Sequence, residues 1–128
     1  KYNLENFVKN IGYVKMENVP ALYQECNALL MPTILESFSG TYVEAMYHKI
    51  PIITSNKDFA KEICGEGAEY FEPLNVDSIL ESIQSVFENS HKKEFLVKYA
   101  SKRLEEFLTW KQVFDKYENL MNDNGANE

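Results

Sequence analysis

The sequence lacks the features that would place it in a bilayer or on a nucleic acid. No run approaches the roughly 20 consecutive apolar residues that span a membrane, and no charged, apolar and small-residue leader opens the chain. We therefore predict no transmembrane segment. The net charge of −7 argues against the concentrated basic surface that binding to phosphate backbones requires, so we predict no nucleic-acid partner. Internal repeats and low-complexity segments are absent as well.

Cysteine is scarce, and its placement limits the chemistry available. Cys26 and Cys64 belong to no Cys-x-x-Cys motif and have no Cys/His partner nearby in sequence, which argues against a zinc site. A disulfide between them stays open. We interpret both as reduced thiols of the core.

Acidic charge is spread unevenly along the chain. Residues 1–60 carry five lysines and six carboxylates, whereas residues 61–128 carry eight basic and fourteen acidic residues. Because like charge repels an anionic ligand, we expect any site for an anion to lie in the first half.

What the sequence does contain is an alternation of short Val- and Ile-rich runs with amphipathic stretches, which is typical of βαβ units in a parallel sheet. With 45% apolar residues, a chain of this length can bury one core. We predict one α/β domain over residues 1–121 and a disordered tail over 122–128. The predicted strands are 8–14, 28–31, 50–54 and 68–71, and the predicted helices are 18–26, 41–48, 58–64, 76–87, 92–107 and a last one with Thr109 as its N-cap.

The most informative segment lies between the second predicted strand and the following helix. Ligands of open parallel sheets bind at the carboxyl ends of the strands, and Glu36 lies in the loop at such an end. Ser39, Gly40 and Thr41 come at the helix entrance, where unpaired N–H groups and the helix dipole favour a phosphate. Gly40 lets a ligand approach the main chain closely. Glu44 follows within the first predicted turns.

The Glu-x7-Glu spacing thus places Glu36 before a possible phosphate cradle and Glu44 after it. Carboxylates accept hydrogen bonds from vicinal hydroxyls. A diphosphate with a hydroxylated sugar on each side, which describes a nucleotide sugar, matches this layout.

Ordinary structural roles compete with the functional interpretation. Thr41-x-x-Glu44 fits a capping box, and Glu36 fits a solvated loop carboxylate. Phe38 is interpreted as a core side chain rather than a stacking platform. Tyr42 and Tyr47 are interpreted as packing residues. His48, at the helix end, receives no catalytic role.

Several segments resemble one known family in the same order along the chain. The sequence is similar to the retaining GT-B glycosyltransferases whose C-terminal domains carry a Glu-x7-Glu motif, the group 1 family. The resemblance implies a Rossmann-like C-terminal domain, the second half of a GT-B enzyme. The segments that carry it are Asn10-Ile-Gly-Tyr-Val14, residues 19–32, Glu36-Ser-Phe, residues 44–55, Phe71-Glu-Pro-Leu-Asn75 and Thr109-Trp110.

The resemblance implies a role for each residue of the motif. Glu36 would contact hydroxyls of the donor sugar as the catalytic carboxylate, and Glu44 would contact the ribose. Main-chain groups from Ser39 to Thr41 would hold the diphosphate, within a donor loop that also includes Ser37 and Phe38. The turn at Val14 and Lys15 would lie near the nucleobase. Ser37 and Ser39 depart from the family pattern, which often has Gly there.

The resemblance also implies partners outside this chain. The donor would be a nucleotide-diphosphate sugar, and the acceptor domain, the first strands and a basic pair that neutralises the diphosphate would lie upstream. The sequence has no Asp-x-Asp motif, so no metal or other cofactor is expected. This chain alone would transfer no sugar.

Two other functions stay open at this point. The chain fits half of a sugar-phosphate epimerase or phosphorylase, or a non-catalytic α/β binding module. For the transferase we expect a role in polysaccharide or glycoconjugate synthesis and a cytoplasmic location, with peripheral contact at the inner membrane face left open.

Overall fold

The computed structural model describes residues 3–124 and has helices on both faces of a small sheet. Two short 3-10 helices, Met16–Asn18 and Gly65–Gly67, interrupt the main elements. The strands are β1 (Leu29–Met31), β2 (Ile52–Ser55) and β3 (Ala68–Phe71), and the helices are α1 (Val19–Glu25), α2 (Gly40–Tyr47), α3 (Asp58–Cys64), α4 (Val76–Glu88), α5 (Ser90–Leu104) and α6 (Trp110–Asn124).

The three strands are parallel and adjacent in the order β1-β2-β3. All four residues of β2 are buried, as expected for the central strand of a sheet that is covered on both faces. β1 lies at an edge, and its Leu30 is 43% exposed. The predicted α/β fold with a parallel sheet is therefore confirmed, although β1 is one residue shorter than the predicted strand 28–31 and is less buried than the sequence suggested.

Two hydrophobic clusters lie on opposite faces of the sheet because consecutive side chains of a strand point to opposite sides. Ile52 belongs to the cluster that includes residues of α2, α3 and α5. Ile53 belongs to the cluster with Phe71 of β3 and Val86 of α4. Each face is thus covered by helices, which is the layered arrangement that the alternating sequence pattern predicts.

The second 3-10 helix and α5 approach each other closely. A Cβ atom added to Gly67 would lie 2.7 Å from both the backbone N and the Cα of Ala100. Only glycine allows this contact without displacement of the backbone.

Asn and Thr side chains define the beginnings of the late helices. Asn75 and Asn89 accept hydrogen bonds from main-chain N–H groups at the starts of α4 and α5. Thr109 and Gln112 form a reciprocal pair at the start of α6, since the Thr109 hydroxyl accepts from the Gln112 N–H and the Gln112 amide accepts from the Thr109 N–H. The predicted N-cap at Thr109 is confirmed.

The predicted strand over residues 8–14 is wrong, since this segment is irregular and pairs with no strand in the described part of the chain. The Asn10 side chain accepts a hydrogen bond from the Gly12 N–H at 2.8 Å, and Gly12 has a φ of 66°. This local turn interrupts the segment that the sequence predicted as a continuous strand. The apolar side chains that suggested a strand are exposed, namely Val8, Ile11 and Tyr13.

Helix α6 extends beyond the predicted domain end at residue 121. Residues 122–124, which the sequence analysis assigned to a disordered tail, are helical, and residues 125–128 lie outside the described part. A capped helix elongates at low cost, and polar residues reduce helix stability by only a few tenths of a kcal/mol. None of the helices described between residues 3 and 124 is long and apolar enough to cross a bilayer.

The two cysteines differ in their surroundings. Cys64 lies in the core, as predicted, whereas Cys26 is exposed and donates its thiol hydrogen to the Leu22 carbonyl. Both are free thiols. The interpretation as a core residue is therefore wrong for Cys26.

Candidate functional site

Residues 32–39 connect the end of β1 to the start of α2, at the edge of the sheet where the parallel strands end. Two side chains of β2 donate hydrogen bonds to the last residue of β1, directly before this loop. Thr54 donates its hydroxyl hydrogen to the carbonyl of Met31 at 3.1 Å, and Ser55 donates to the same oxygen at 3.4 Å. These bonds fix the ends of β1 and β2 relative to each other, at the position where ligands of open parallel sheets bind.

Tyr42 connects the first turn of α2 to the same group. Its hydroxyl lies 2.7 Å from the Thr54 hydroxyl and donates to it, because Thr54 uses its own hydrogen for Met31. Tyr42 is fully buried, as predicted, and this burial raises the pKa of its phenol, so that it stays protonated and keeps donating. The start of α2 is therefore anchored to the sheet.

The N-terminus of α2 presents unpaired main-chain donors. Ser39 is the N-cap residue but makes no side-chain capping bond. Among residues 3–124, the N–H groups of Gly40 and Thr41 have no hydrogen-bond acceptor. A Cβ atom at Gly40 would meet no atom within 4 Å, so the space above it is open. Unpaired N–H groups at the positive end of a helix dipole suit an anion such as a phosphate.

Glu36 lies in the middle of the loop and is half-buried. Its Oε1 accepts a hydrogen bond from the N–H of Ser37 at 3.0 Å. Phe38 is 57% exposed, so its interpretation as a core side chain is wrong, because no described element covers this part of the loop. The roles of Glu36, Ser37 and Phe38 in donor binding stay predictions.

Glu44 does not form the capping box that competed with its functional interpretation. Helix α2 begins at Gly40, with Ser39 as its N-cap, so Glu44 lies beyond the first turn and too far along to cap it. Its carboxylate instead accepts a hydrogen bond from the Tyr23 hydroxyl, with 2.9 Å between the hydroxyl and Oε2. Glu44 thus connects α2 to α1.

The sequence did not single out Tyr23. The half-buried residues of α1 are Val19 and Tyr23. Leu22 and Cys26, on another face of the helix, are exposed. Val19 and Tyr23 are four residues apart, which is one helical repeat, and this spacing is the signal in the sequence for the inner face of α1. The ring of Tyr23 stacks on His48, with 5.1 Å between the ring centroids and 3° between the planes.

Tyr47 contacts His48 from another side, edge to face at 5.2 Å. Because Tyr47 is 71% exposed, its interpretation as a packing residue is wrong. His48 is the C-cap of α2, which agrees with its assignment to the helix end.

Val14 and Lys15 lie in the irregular segment before the first 3-10 helix. The Lys15 carbonyl accepts from the Asn18 N–H at 2.9 Å. No hydrogen bond or ion pair within the described residues joins either one to the loop, so their placement near a nucleobase stays a prediction. Across residues 3–124, no group of three or more His, Cys, Asp and Glu side chains could hold a metal ion.

The fold defines a class of protein. The structure superposes on a sucrose-phosphate synthase from Thermosynechococcus elongatus with a TM-score of 0.83 at 20% sequence identity. The superposed region covers 98% of this chain and 32% of the synthase chain. The chain therefore has the α/β fold of a GT-B glycosyltransferase domain.

Sequence comparison identifies the family. Residues 1–103 match the family described as glycosyl transferases group 1, and the chain belongs to it. It is 31% identical over 84 residues to the O-antigen chain mannosyltransferase B of Escherichia coli, and the aligned region covers 62% of this chain and 22% of that protein. It is 29% identical over 113 residues to the spore coat protein SA of Bacillus subtilis, and this aligned region covers 85% of this chain and 30% of that protein.

A third relative is an uncharacterized 41.2 kDa protein in the cps region of Klebsiella pneumoniae, 34% identical over 108 residues, or 80% of this chain and 30% of that protein. The chain thus spans less than a third of the length of each of these relatives.

Proposed function

We propose that this chain binds the nucleotide-diphosphate sugar donor of a retaining glycosyltransferase. The observation that carries the proposal is the pair of unpaired N–H groups at Gly40 and Thr41, which lies between Glu36 and Glu44 in the sequence. This arrangement offers donors for a diphosphate and an acceptor for hydroxyls on either side. Membership of the family supports a glycosyl transfer function.

Charge development during transfer gives the helix end a catalytic role. When the bond between the sugar and the diphosphate breaks, negative charge builds up on the leaving oxygens. The N–H groups of Gly40 and Thr41 are already aligned by the helix, so they stabilise this charge without reorganisation. They therefore favour the transition state over the ground state, which is the requirement for catalysis.

The two carboxylates have separate tasks in this proposal. Glu36, in the loop, binds hydroxyls of the transferred sugar and orients its reacting carbon. Glu44, on α2, binds the ribose. Ser37 and Phe38 line the sugar, and Val14 with Lys15 contacts the nucleobase.

The remainder of the site belongs to the rest of the protein. Because the chain spans less than a third of its relatives, we propose that an upstream acceptor-binding domain supplies the opposite wall. A separate basic pair, also upstream, neutralises the diphosphate. No metal is needed in this scheme. The name of one relative, the O-antigen chain mannosyltransferase B, supports a hexosyl transfer in polysaccharide assembly. We propose that this transfer takes place in the cytoplasm.

Substitution of Glu44 tests the proposal. In the full-length protein that carries this chain, Glu44→Gln should lower kcat/KM for the donor by about tenfold or more while the melting temperature stays nearly constant, because a charge-assisted hydrogen bond to the substrate is lost. The measurement is initial-rate kinetics with uridine, guanosine and adenosine diphosphate sugars, and product analysis distinguishes transfer from epimerisation or phosphorolysis.

The matched control is Glu81→Gln, which removes an exposed carboxylate from α4. Unchanged kinetics for Glu44→Gln together with a lowered melting temperature would show that Glu44 serves the fold rather than the donor.

A further inference from the structure

One polar group beside Glu44 takes no part in the proposed contacts with the donor. The Tyr23 hydroxyl comes from a different helix and is directed at a carboxylate of the proposed site. We propose that Tyr23 is a positioning residue that holds Glu44 in the orientation needed to bind both ribose hydroxyls, and thereby makes the site selective for ribonucleotides. This inference rests on the proposed function, since it assumes that Glu44 contacts the ribose.

The hydrogen-bond arrangement at Glu44 has a free side. Tyr23 donates to Oε2 at 2.9 Å, while Oε1 has no hydrogen-bond partner within residues 3–124. A carboxylate on a flexible side chain samples several rotamers, and one fixed oxygen restricts the direction of the other. The bond from Tyr23 therefore leaves Oε1, and the second lone pair of Oε2, as acceptors for two neighbouring hydroxyls.

Tyr23 is itself held in place from two directions. Its ring lies parallel to the ring of His48, and its helix is half-buried at Val19 and Tyr23 along the same face. The hydroxyl also lies 3.5 Å from the carbonyl of Thr41, at the limit of hydrogen bonding. A rigid aromatic ring loses little further entropy when it orients a partner, which suits it to this role.

The hydroxyl of Tyr23 acts as donor over the whole physiological range. Burial raises its pKa above the ordinary value of a phenol, and the bond to Glu44 raises it further. Since the phenol keeps its proton and the carboxylate has none to give, the direction of the hydrogen bond is fixed.

This arrangement predicts a loss of selectivity rather than a general loss of binding. Removal of the hydroxyl frees the Glu44 side chain, while the N–H groups at Gly40 and Thr41 still hold the diphosphate. Affinity for a ribonucleoside diphosphate should fall, and affinity for its 2′,3′-dideoxy counterpart should not. A purely structural role for Tyr23 would weaken both ligands to the same degree.

The experiment measures this ratio of affinities by calorimetry in the full-length protein. Uridine, guanosine and adenosine diphosphates are titrated alongside their 2′,3′-dideoxy counterparts into wild type and Tyr23→Phe. We expect Tyr23→Phe to lower the ribo-to-dideoxy affinity ratio about three- to tenfold, the range that corresponds to one net hydrogen bond. Tyr47→Phe is the matched control, since it removes a phenol hydroxyl from the other ring that contacts His48.

A double substitution tests whether Tyr23 acts through Glu44. If it does, Tyr23→Phe should have no further effect on the ratio in a Glu44→Ala background, because neighbours that act together are not additive. An independent effect of the same size in both backgrounds would overturn the inference.

The outcomes separate the two proposals. A wild type that binds nucleotides without ribose preference overturns both the role of Glu44 and the inference. A wild-type preference that Glu44→Ala removes but Tyr23→Phe preserves overturns the inference alone. Loss of the preference in Tyr23→Phe, with retention in Tyr47→Phe, supports it.

Discussion

Two helix ends in this molecule are treated in opposite ways. At the C-terminus of α3, the Arg103 guanidinium from α5, 40 residues away along the chain, donates to the carbonyl of Ile63 at 3.1 Å and to that of Glu62 at 2.6 Å. At the N-terminus of α2, the donors of Gly40 and Thr41 have no partner within residues 3–124. The C-terminus of α3 is thus bonded by a distant arginine, whereas the N-terminus of α2 stays open, at the position of the proposed diphosphate.

The surroundings of these ends differ in packing as well. We call the region of Cys64, Gly67 and Ala100 the rear core, since all three are buried where α3, the second 3-10 helix and α5 meet. We call residues 36–41 the front edge, because most of them are half-buried or exposed. The rear core is thus closely packed, whereas the front edge stays accessible to the proposed ligand. We therefore expect substitutions in the rear core to change stability and substitutions in the front edge to change ligand binding.

The largest expected effect concerns the rear core at alkaline pH. Cys64 is fully buried, and burial raises the pKa of its thiol from 9.0 to about 12. The stability that depends on the neutral thiol is complete below pH 9 and is lost as the pH rises toward 12, because the unfolded chain ionises first. Between pH 8 and 11, the free energy of unfolding of wild type should fall by about 2.5 kcal/mol relative to Cys64→Ala.

Urea denaturation at several pH values provides the measurement. Tyrosines common to both proteins cancel in the difference, and Cys26→Ala serves as the control for removal of an exposed thiol. Parallel stability curves for wild type and Cys64→Ala up to pH 11 would contradict the assignment of Cys64 to a sealed interior.

The second prediction concerns the contact between Gly67 and Ala100. Gly67→Ala forces a methyl group to within 2.7 Å of backbone atoms of α5, which can relieve the overlap only by moving. Overpacking of this kind lowers the free energy of unfolding by about 2 kcal/mol. Thermal and urea denaturation measure the loss, and nucleotide affinity of the folded variant should be unchanged. A variant as stable as wild type would show that the rear core yields more easily than its packing implies.

The smallest change in stability is expected at the front edge. Gly40→Val adds a side chain where a Cβ atom meets nothing within 4 Å, so the free energy of unfolding should change by less than about 1 kcal/mol. The same side chain occupies the space that the proposed diphosphate needs, and affinity for nucleoside diphosphates should fall by about tenfold or more, since close approach to the main chain is lost. Calorimetric titration measures this affinity. Unchanged affinity would place the phosphate elsewhere and remove the contrast between the regions.

The sequence predicted the central elements of the fold well because their signals are local. Helix 58–64 and strand 68–71 were placed within their observed bounds, since Gly65 ends the one and a turn follows the other. The segment 8–14 misled because its apolar residues suggest a strand, while its structure follows from the Asn10 side chain and the positive φ of Gly12. Strand formation depends on a neighbour to pair with, which periodicity within a segment does not report.

The site was predictable in part for the same reason. The loop and the open N-terminus of α2 follow from residues close together in sequence, so the sequence alone points to Glu36, Gly40 and Glu44 as candidates, and their roles in binding stay predictions. The hydrogen bond from Tyr23 to Glu44 spans 21 residues and joins two helices, and only the tertiary arrangement creates it. The exposure of Phe38 was likewise missed, because an aromatic residue between a strand and a helix is buried more often than not.

The position of β2 has a consequence for how the molecule fluctuates. Its backbone is paired on both sides and all its residues are buried, so its amide hydrogens exchange with solvent only when the whole domain opens. The amides of Gly40 and Thr41, by contrast, can exchange from the native state. Deuterium would therefore label the start of α2 long before it reaches Thr54, whose hydroxyl supports the loop from below. The start of α2 therefore exposes N–H donors to solvent in the native state, while the strand that supports it exchanges only when the whole domain unfolds.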